Sequence, residues 1–200
     1  PELQAVSIHQ YLDRVIELKA DSPFLALAYN EKASMNLQQG LFTDASNNLA
    51  MAVRHAANDA DRAQYLFRLV STEYRLATDV NPDIDPKARA SRLSKVLAHL
   101  DALEAIDRGD YKLKSISYRY NCYYMLRDYG KAEQVLLNVL SSSNDFDNLN
   151  KTENQLVRFY LELDQPLKAA QQKLRFSARV LGKLPELAQQ LTYEAADIYR

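Results

Sequence analysis

The sequence predicts an all-α fold, and three observations lead to that prediction. With four Gly and six Pro in 200 residues, the chain has few of the turn residues that all-β folds require. The glycines, such as Gly40 and Gly182, stand where the helical period of apolar residues breaks. Between these breaks apolar residues recur at spacings of three and four, as from Leu93 to Ile106, and no comparable segment alternates with the period of a strand.

These breaks divide the chain into ten predicted helices. Their approximate bounds are residues 2–20, 23–40, 42–58, 60–78, 86–107, 110–128, 130–143, 150–164, 167–181 and 185–200. Four prolines suit the first turn of a helix, where a missing N–H costs no hydrogen bond: Pro23, Pro86, Pro166 and Pro185. Most connections span only two to six residues, so we expect sequential helices to lie antiparallel, and only 79–85 and 144–149 leave room for longer loops.

A pattern recurs at the turn between paired helices, in residues 35–53, 124–140 and 160–176. In each stretch a short turn is followed by an alanine near the start of the second helix: Ala45, Ala132 and Ala169. A fourth unit is aligned through Ala90. The four aligned alanines are then separated by 45, 42 and 37 residues along the chain. Because alanine is small, we expect the two helices of each pair to approach closely at this position.

This pattern resembles the tetratricopeptide repeat, and RDYGKAEQVLLNVL at 127–140 is its best single match. The resemblance covers about residues 23–181 and implies a right-handed α-solenoid of antiparallel helix pairs. Its units are residues 23–58, 60–107, 110–143 and 150–181, flanked by helices 2–20 and 185–200. The sequence departs from the family where the spacings exceed its ~34 residues, where Lys32 and Arg119 replace apolar residues, and where Tyr120 replaces a small one. Other helical-repeat families of ~40 residues share this architecture and stay open.

We interpret residues 1–200 as a single helical-repeat domain taken from a longer protein, because it starts at Pro1 rather than Met and ends inside a predicted helix. No basic leader and no apolar run near the ~18 residues of a membrane span is present, so we expect a soluble domain, cytoplasmic or periplasmic. With 25 basic and 26 acidic residues the net charge is −1. The chain as a whole therefore lacks the excess positive charge that would attract nucleic acid or an anionic membrane.

No catalytic or cofactor pattern stands out. Cys122 is the single cysteine, which excludes an internal disulfide and a cysteine-rich metal site, and its aromatic surroundings predict a buried thiol. His9, His55 and His99 fall on three different predicted helices without a second ligand at a suitable spacing. We therefore expect no cofactor, no metal and no catalysis in this region, and an enzyme is the least favoured reading.

The sequence favours a protein- or peptide-binding scaffold, and the alternative is the sensor or regulatory domain of a bacterial signalling or transcription protein, such as a diguanylate cyclase or kinase. The resemblance implies that the first helix of each pair lines a concave face. The polar residues expected there, with one tyrosine, are Asn30, Ser34, Arg68, Thr72, Arg75, Lys114, Asn121, Tyr124, Asn154 and Arg158.

Asparagine can bond a peptide backbone and arginine can pair with a carboxylate, so the expected partner is an acidic or C-terminal peptide. The family's peptide-carboxylate clamp is not reproduced residue for residue. The alternative is that these predicted residues form an ordinary solvated helix face. A homodimer is a further alternative for the partner.

Overall fold

The computed structural model describes residues 8–18, 23–79 and 83–200. Over these ranges the chain forms ten α-helices and no strand, which confirms the all-α prediction. The helices are α1 (Ile8–Glu17), α2 (Pro23–Gln38), α3 (Phe42–His55), α4 (Asp59–Thr78), α5 (Pro86–Glu104), α6 (Lys112–Met125), α7 (Tyr129–Ser142), α8 (Phe146–Glu162), α9 (Pro166–Val180) and α10 (Pro185–Tyr199). The outer parts of the predicted helix 2–20, and Pro82 in the predicted loop, lie outside the described residues.

Side-chain caps fix several helix starts. The carboxylate of Asp85 accepts the Ala88 N–H at 3.0 Å ahead of α5, and that of Asp128 accepts the Lys131 N–H at 3.3 Å ahead of α7. Asp145 likewise accepts the Asp147 N–H at 2.9 Å. This last cap explains why α8 begins at Phe146, four residues before the predicted start at residue 150, in a segment interpreted as a loop.

The same backbone turn ends α2, α6 and α8. Each turn has one residue in the left-handed region: Gly40 at φ +75°, Arg127 at +59° and Asp164 at +55°. The next residue donates its N–H to the carbonyl five positions earlier, in the pairs Leu41–Asn36, Asp128–Tyr123 and Gln165–Tyr160 at 2.8 to 2.9 Å. This bond is the signature of a Schellman cap, which satisfies carbonyls that a helix end would leave unpaired.

An alanine follows each of these turns at the same distance. It stands five residues after the left-handed residue and is 0% exposed in all three cases: Ala45, Ala132 and Ala169. Ala90, which the sequence aligned with them, is only half-buried in α5. The predicted tight position is therefore confirmed as buried in three units and differs in the fourth.

Two glycines expected to mark helix junctions have no left-handed backbone. Gly130 is the second residue of α7, and the junction before it uses Arg127 instead. Gly182 follows α9, also without a positive φ. An arginine in the left-handed region is uncommon, since L-residues other than Asn and Asp rarely adopt this backbone conformation. The position of the glycine therefore predicted Gly130 for this junction, where the structure has Arg127.

The chain divides into two compact units, residues 1–122 and 123–200, and the division falls within α6. In the first unit each helix from α1 to α5 contacts the next one in sequence. Ala33 of α2, Ala45 and Leu49 of α3 and Leu69 of α4 form one buried cluster. The small residues at the α2–α3 contact allow these two helices to lie close together.

Ion pairs explain two of the departures from the repeat pattern. Lys32 of α2 pairs with Asp13 of α1. Arg119 of α6 pairs with Asp101 at 2.5 Å and with Glu104 at 2.9 Å, both on α5. Charged side chains occupy these expected apolar positions because the neighbouring helices supply carboxylates.

In the second unit α7, α8, α9 and α10 contact one another in sequence. Its core includes the fully buried Leu136, Leu156 and Phe159, together with Phe176. Arg179 of α9 donates to the carbonyl oxygens of Leu140 and, at 3.3 Å, of Ser143, where α7 ends. A cation at this place compensates the partial negative charge of a helix C-terminus.

Candidate functional site

The residues predicted to line a concave face fall in both units. Seven of them, from Asn30 to Asn121, belong to residues 1–122, and Tyr124, Asn154 and Arg158 belong to residues 123–200.

Four of the predicted residues form a link between α2 and α4. The Arg68 guanidinium donates to the side-chain oxygen of Asn30 and, at 2.8 Å, to the Oγ of Ser34. Asn30 is 6% exposed and Thr72 2%, and the Thr72 hydroxyl donates to the Arg68 carbonyl oxygen at 2.9 Å. These polar groups are already paired inside the fold, so the link holds two helices together and Asn30 and Thr72 do not form an exposed stripe.

The other three predicted residues of this unit surround a group of rings on α4, on α6 and just before α6. We name this group the aromatic cluster: Phe67, Tyr74, Tyr111 and Tyr118. Phe67 stacks on Tyr111 with ring centroids 4.7 Å apart, and Tyr118 meets Tyr74 edge-on at 5.1 Å. All four rings are partly exposed. The cluster therefore combines a packed aromatic surface with access to solvent.

Two exposed cations lie on rings at this surface. The Arg75 guanidinium is 4.5 Å from the centroid of Phe42, and the Lys114 ammonium is 5.6 Å from that of Phe67. Among the described residues, neither cation has a carboxylate within ion-pair distance. Both positive charges are held in place by a ring without being neutralised.

The phenols of the cluster are neutral at ordinary pH. Burial raises the pKa of Tyr74, and a hydrogen bond from Asn121 opposes that rise. Burial also raises the pKa of Tyr118, against the opposing charge of Arg75. These interactions place Asn121 and Arg75 beside the two tyrosines, so the cluster offers hydroxyl groups and cations together.

The polar pattern of the predicted first helices does not indicate this cluster, because the members of the cluster are aromatic. Phe67 and Tyr74 are seven residues apart on α4, and Tyr111 and Tyr118 have the same spacing around α6. This spacing places two side chains on one helix face, so it could have revealed the cluster.

The three predicted residues of the second unit have separate environments. The Tyr124 hydroxyl donates to Glu162 at 2.9 Å, which raises the pKa of Tyr124. Asn154 donates to Asn150 at 3.4 Å on the same exposed helix face, and Arg158 is exposed.

The Cys122 side chain is fully buried, and His55 and His99 are partly buried. Burial raises the pKa of the Cys122 thiol to about 12, so the thiolate is not populated near neutral pH. Burial also lowers the pKa of His99, while the His9 side chain lies outside the described residues. Over the described ranges no three His, Cys, Asp or Glu side chains converge in a way that suits a metal ion.

A buried charged group links three helices of the second unit. Glu153 of α8 is 0% exposed, and its carboxylate lies 3.9 Å from the ammonium of Lys173 on α9. The same ammonium is 2.7 Å from the carboxylate of Glu194 on α10. Burial raises the pKa of Glu153, Lys173 lowers it and Glu194 raises it.

None of the described helices is long and apolar enough to cross a bilayer. The tetratricopeptide resemblance rests on the residue pattern alone. In comparisons with known proteins, no family model and no curated protein matches this chain.

Proposed function

We propose that this chain is a non-catalytic repeat scaffold that binds an acidic protein segment at the aromatic cluster. The observation that carries the proposal is the pair of exposed cations, Arg75 and Lys114, which lie on rings and have no carboxylate partner among the described residues. A partner carboxylate would supply the missing counter-charge.

The proposal includes a right-handed solenoid of antiparallel helix pairs. Its support is the recurrence of one cap geometry, with a left-handed residue followed five residues later by a fully buried alanine, in three of the four predicted helix pairs. Local units that repeat in this way stack by presenting the same contact to the next unit. On that arrangement α2, α4 and α6 are the first helices of their pairs, and α4 and α6 carry the cluster.

Aromatic rings and cations suit protein recognition for a physical reason. Tyr and Phe bury a large area while losing few rotatable bonds, and arginine is favoured with them at the centres of interfaces. Because the ring under each cation limits its motion, less side-chain entropy is lost when a carboxylate binds. The cluster therefore favours a partner with acidic residues next to aromatic or apolar ones.

The proposal is tested with the double variant Arg75→Glu/Lys114→Glu. The probe is a fluorescein-labelled peptide of three Glu-Phe repeats, followed by fluorescence anisotropy, with a Gln-Phe peptide of the same length for comparison. We expect the variant to bind the Glu-Phe peptide at least about tenfold more weakly, which corresponds to ~1.4 kcal/mol. The matched control Lys87→Glu/Lys95→Glu changes two exposed lysines of α5 in the same unit and should bind as the unmodified chain does.

Both double variants should unfold at nearly the unmodified temperature, because all four positions are exposed. The proposal fails if the unmodified chain prefers neither peptide, or if the control loses as much affinity as the test variant. Arg68 is not used in this test, since its reversal would also break the link to Asn30 and Ser34.

A further inference from the structure

A cleft lies between α7 and α9 in the second unit, apart from the surface proposed above. Its volume is about 240 Å³. The lining residues are Leu137, Leu140, Ser141, Gln172, Arg175, Phe176 and Arg179. Drug-sized ligands occupy pockets of roughly 300 Å³ or more, so this cleft is sized for one bulky side chain of a peptide.

Gln172 gives the cleft a polar group that has no partner. The residue is 8% exposed, lines the cleft and makes no hydrogen bond to another described residue. The amide oxygen and nitrogen of this side chain can accept from and donate to one peptide group. An extended peptide backbone crossing the cleft would satisfy both atoms.

The charges at the cleft are positive. Arg175 is exposed and, within the described ranges, is paired with no carboxylate. Arg179 is fixed by its bonds to the carbonyl oxygens of Leu140 and Ser143 and also lacks a carboxylate partner among these residues. Two cations beside an apolar floor of Leu140 and Phe176 complement a carboxylate adjacent to an apolar group.

We propose that this cleft binds an extended peptide segment in which a bulky apolar residue is followed by an acidic one. The apolar side chain enters the cleft over Phe176, the backbone bonds the amide of Gln172, and the carboxylate pairs with Arg175. The proposal does not depend on the aromatic cluster, because every lining residue belongs to the second unit.

The test uses a fluorescein-labelled peptide, Gly-Ser-Gly-Phe-Asp-Gly-Ser-Gly-amide, and fluorescence anisotropy. Two matched peptides replace Phe by Ala or Asp by Asn. Since burying a Phe side chain is worth ~1.5–3 kcal/mol, the Ala peptide should bind about tenfold more weakly or worse, and the Asn peptide should also bind more weakly.

Three variants localise the binding. Arg175→Glu is an exposed change and should weaken the Phe-Asp peptide about tenfold, and Gln172→Leu, which removes the amide while keeping the volume, should weaken it about fivefold. Lys151→Glu on α8 makes the same charge change at an exposed position outside the cleft and should leave binding unchanged. Melting curves by circular dichroism establish that each variant is folded.

The proposal is overturned if the unmodified chain shows no saturable binding of the Phe-Asp peptide. It is also overturned if Lys151→Glu weakens binding as much as Arg175→Glu, or if the Asn peptide binds equally well. Binding that is lost in Arg75→Glu/Lys114→Glu and kept in Arg175→Glu would assign the peptide to the aromatic cluster and refute the cleft.

Discussion

Replacing Lys173 by Met should destabilise the second unit by isolating a buried carboxylate. Glu153 has neither carboxylate oxygen hydrogen-bonded to another described residue, and the Lys173 ammonium at 3.9 Å is the cation beside it. Methionine keeps most of the buried stem of Lys173 and removes only its charge. Glu153 must then stay ionised without a counter-charge or take up a proton.

Protonation of Glu153 sets an upper limit on the free energy of unfolding that Lys173→Met can cost. Starting from an ordinary glutamate pKa of ~4.3, keeping the group protonated at pH 7 costs about 1.36 × 2.7, or ~3.7 kcal/mol. Burying an unpaired carboxylate costs several kcal/mol or more, so protonation is the cheaper route. Because burial already raises the pKa of Glu153 in the unmodified chain, part of this cost is present beforehand. We expect Lys173→Met to lower the free energy of unfolding by about 2–3 kcal/mol. Loss of the part-exposed ion pair between Lys173 and Glu194 accounts for ~0.2–1 kcal/mol of this change.

The loss should depend on pH with a definite sign. A carboxyl group whose folded pKa is raised binds more protons when folded, so its contribution to stability falls as pH rises above the unfolded pKa. Lys173→Met raises the folded pKa further, and its penalty should therefore shrink as the pH falls toward ~4.3. At pH 5 the ceiling is only about 1.36 × 0.7, or ~1 kcal/mol.

Urea unfolding followed by circular dichroism at pH 7 and pH 5 measures both quantities. The double variant Glu153→Gln/Lys173→Met should recover most of the loss at pH 7, because no buried carboxylate is left to neutralise. Lys151→Met, an exposed change on α8, should alter the unfolding free energy by less than about 0.5 kcal/mol. A loss for Lys173→Met below about 1 kcal/mol at pH 7, or one equal at both pH values, would refute the reasoning.

Two further predictions concern the repeated turn. Ala132→Leu should lower the unfolding free energy by ~1–3 kcal/mol through overpacking, whereas Ala90→Leu at the half-buried position should cost less than about 1 kcal/mol, as measured by urea titration. Arg127→Gly should raise the unfolding free energy by roughly 0.5–1 kcal/mol, because glycine adopts its left-handed backbone without strain, and Arg158→Gly inside α8 should lower it by about 1 kcal/mol. If Ala132→Leu and Ala90→Leu changed the unfolding free energy equally, the close helix contact at Ala132 would be contradicted. If Arg127→Gly and Arg158→Gly changed it equally, the left-handed strain at Arg127 would be contradicted.

The helices could be predicted from sequence because their ends depend on neighbouring residues. Prolines at first turns and breaks in apolar spacing are local signals, and all ten helices were found. The left-handed residues Arg127 and Asp164 could not be found in this way, since the Schellman bonds that hold them do not require glycine. Ala90 was misaligned for a related reason: an alanine in a helical pattern does not itself reveal whether a neighbouring helix covers it.

The candidate site was predicted less well because exposure of a polar side chain depends on residues far along the chain. Asn30 and Ser34, the partners of Arg68, are 38 and 34 residues away in sequence. The predicted residues therefore include side chains that hold α2 to α4 together with side chains, such as Arg75, that are exposed. The aromatic cluster was also a product of packing between α4 and α6, although its seven-residue spacings were visible in the sequence.

The number of contacts that a guanidinium already makes, rather than its charge, separates the arginines proposed to bind a partner from those that hold helices together. Arg68 and Arg75 are seven residues apart on one face of α4, so sequence periodicity treats them alike. The guanidinium of Arg68 is occupied by two side-chain oxygens of α2, while that of Arg75 lies exposed on a ring. The same contrast occurs four residues apart on α9, where Arg179 caps α7 and Arg175 has no carboxylate among the described residues. Removing an occupied arginine should therefore change stability first, whereas removing an available one should change binding first, and the variants at Arg75 and Arg175 depend on that difference.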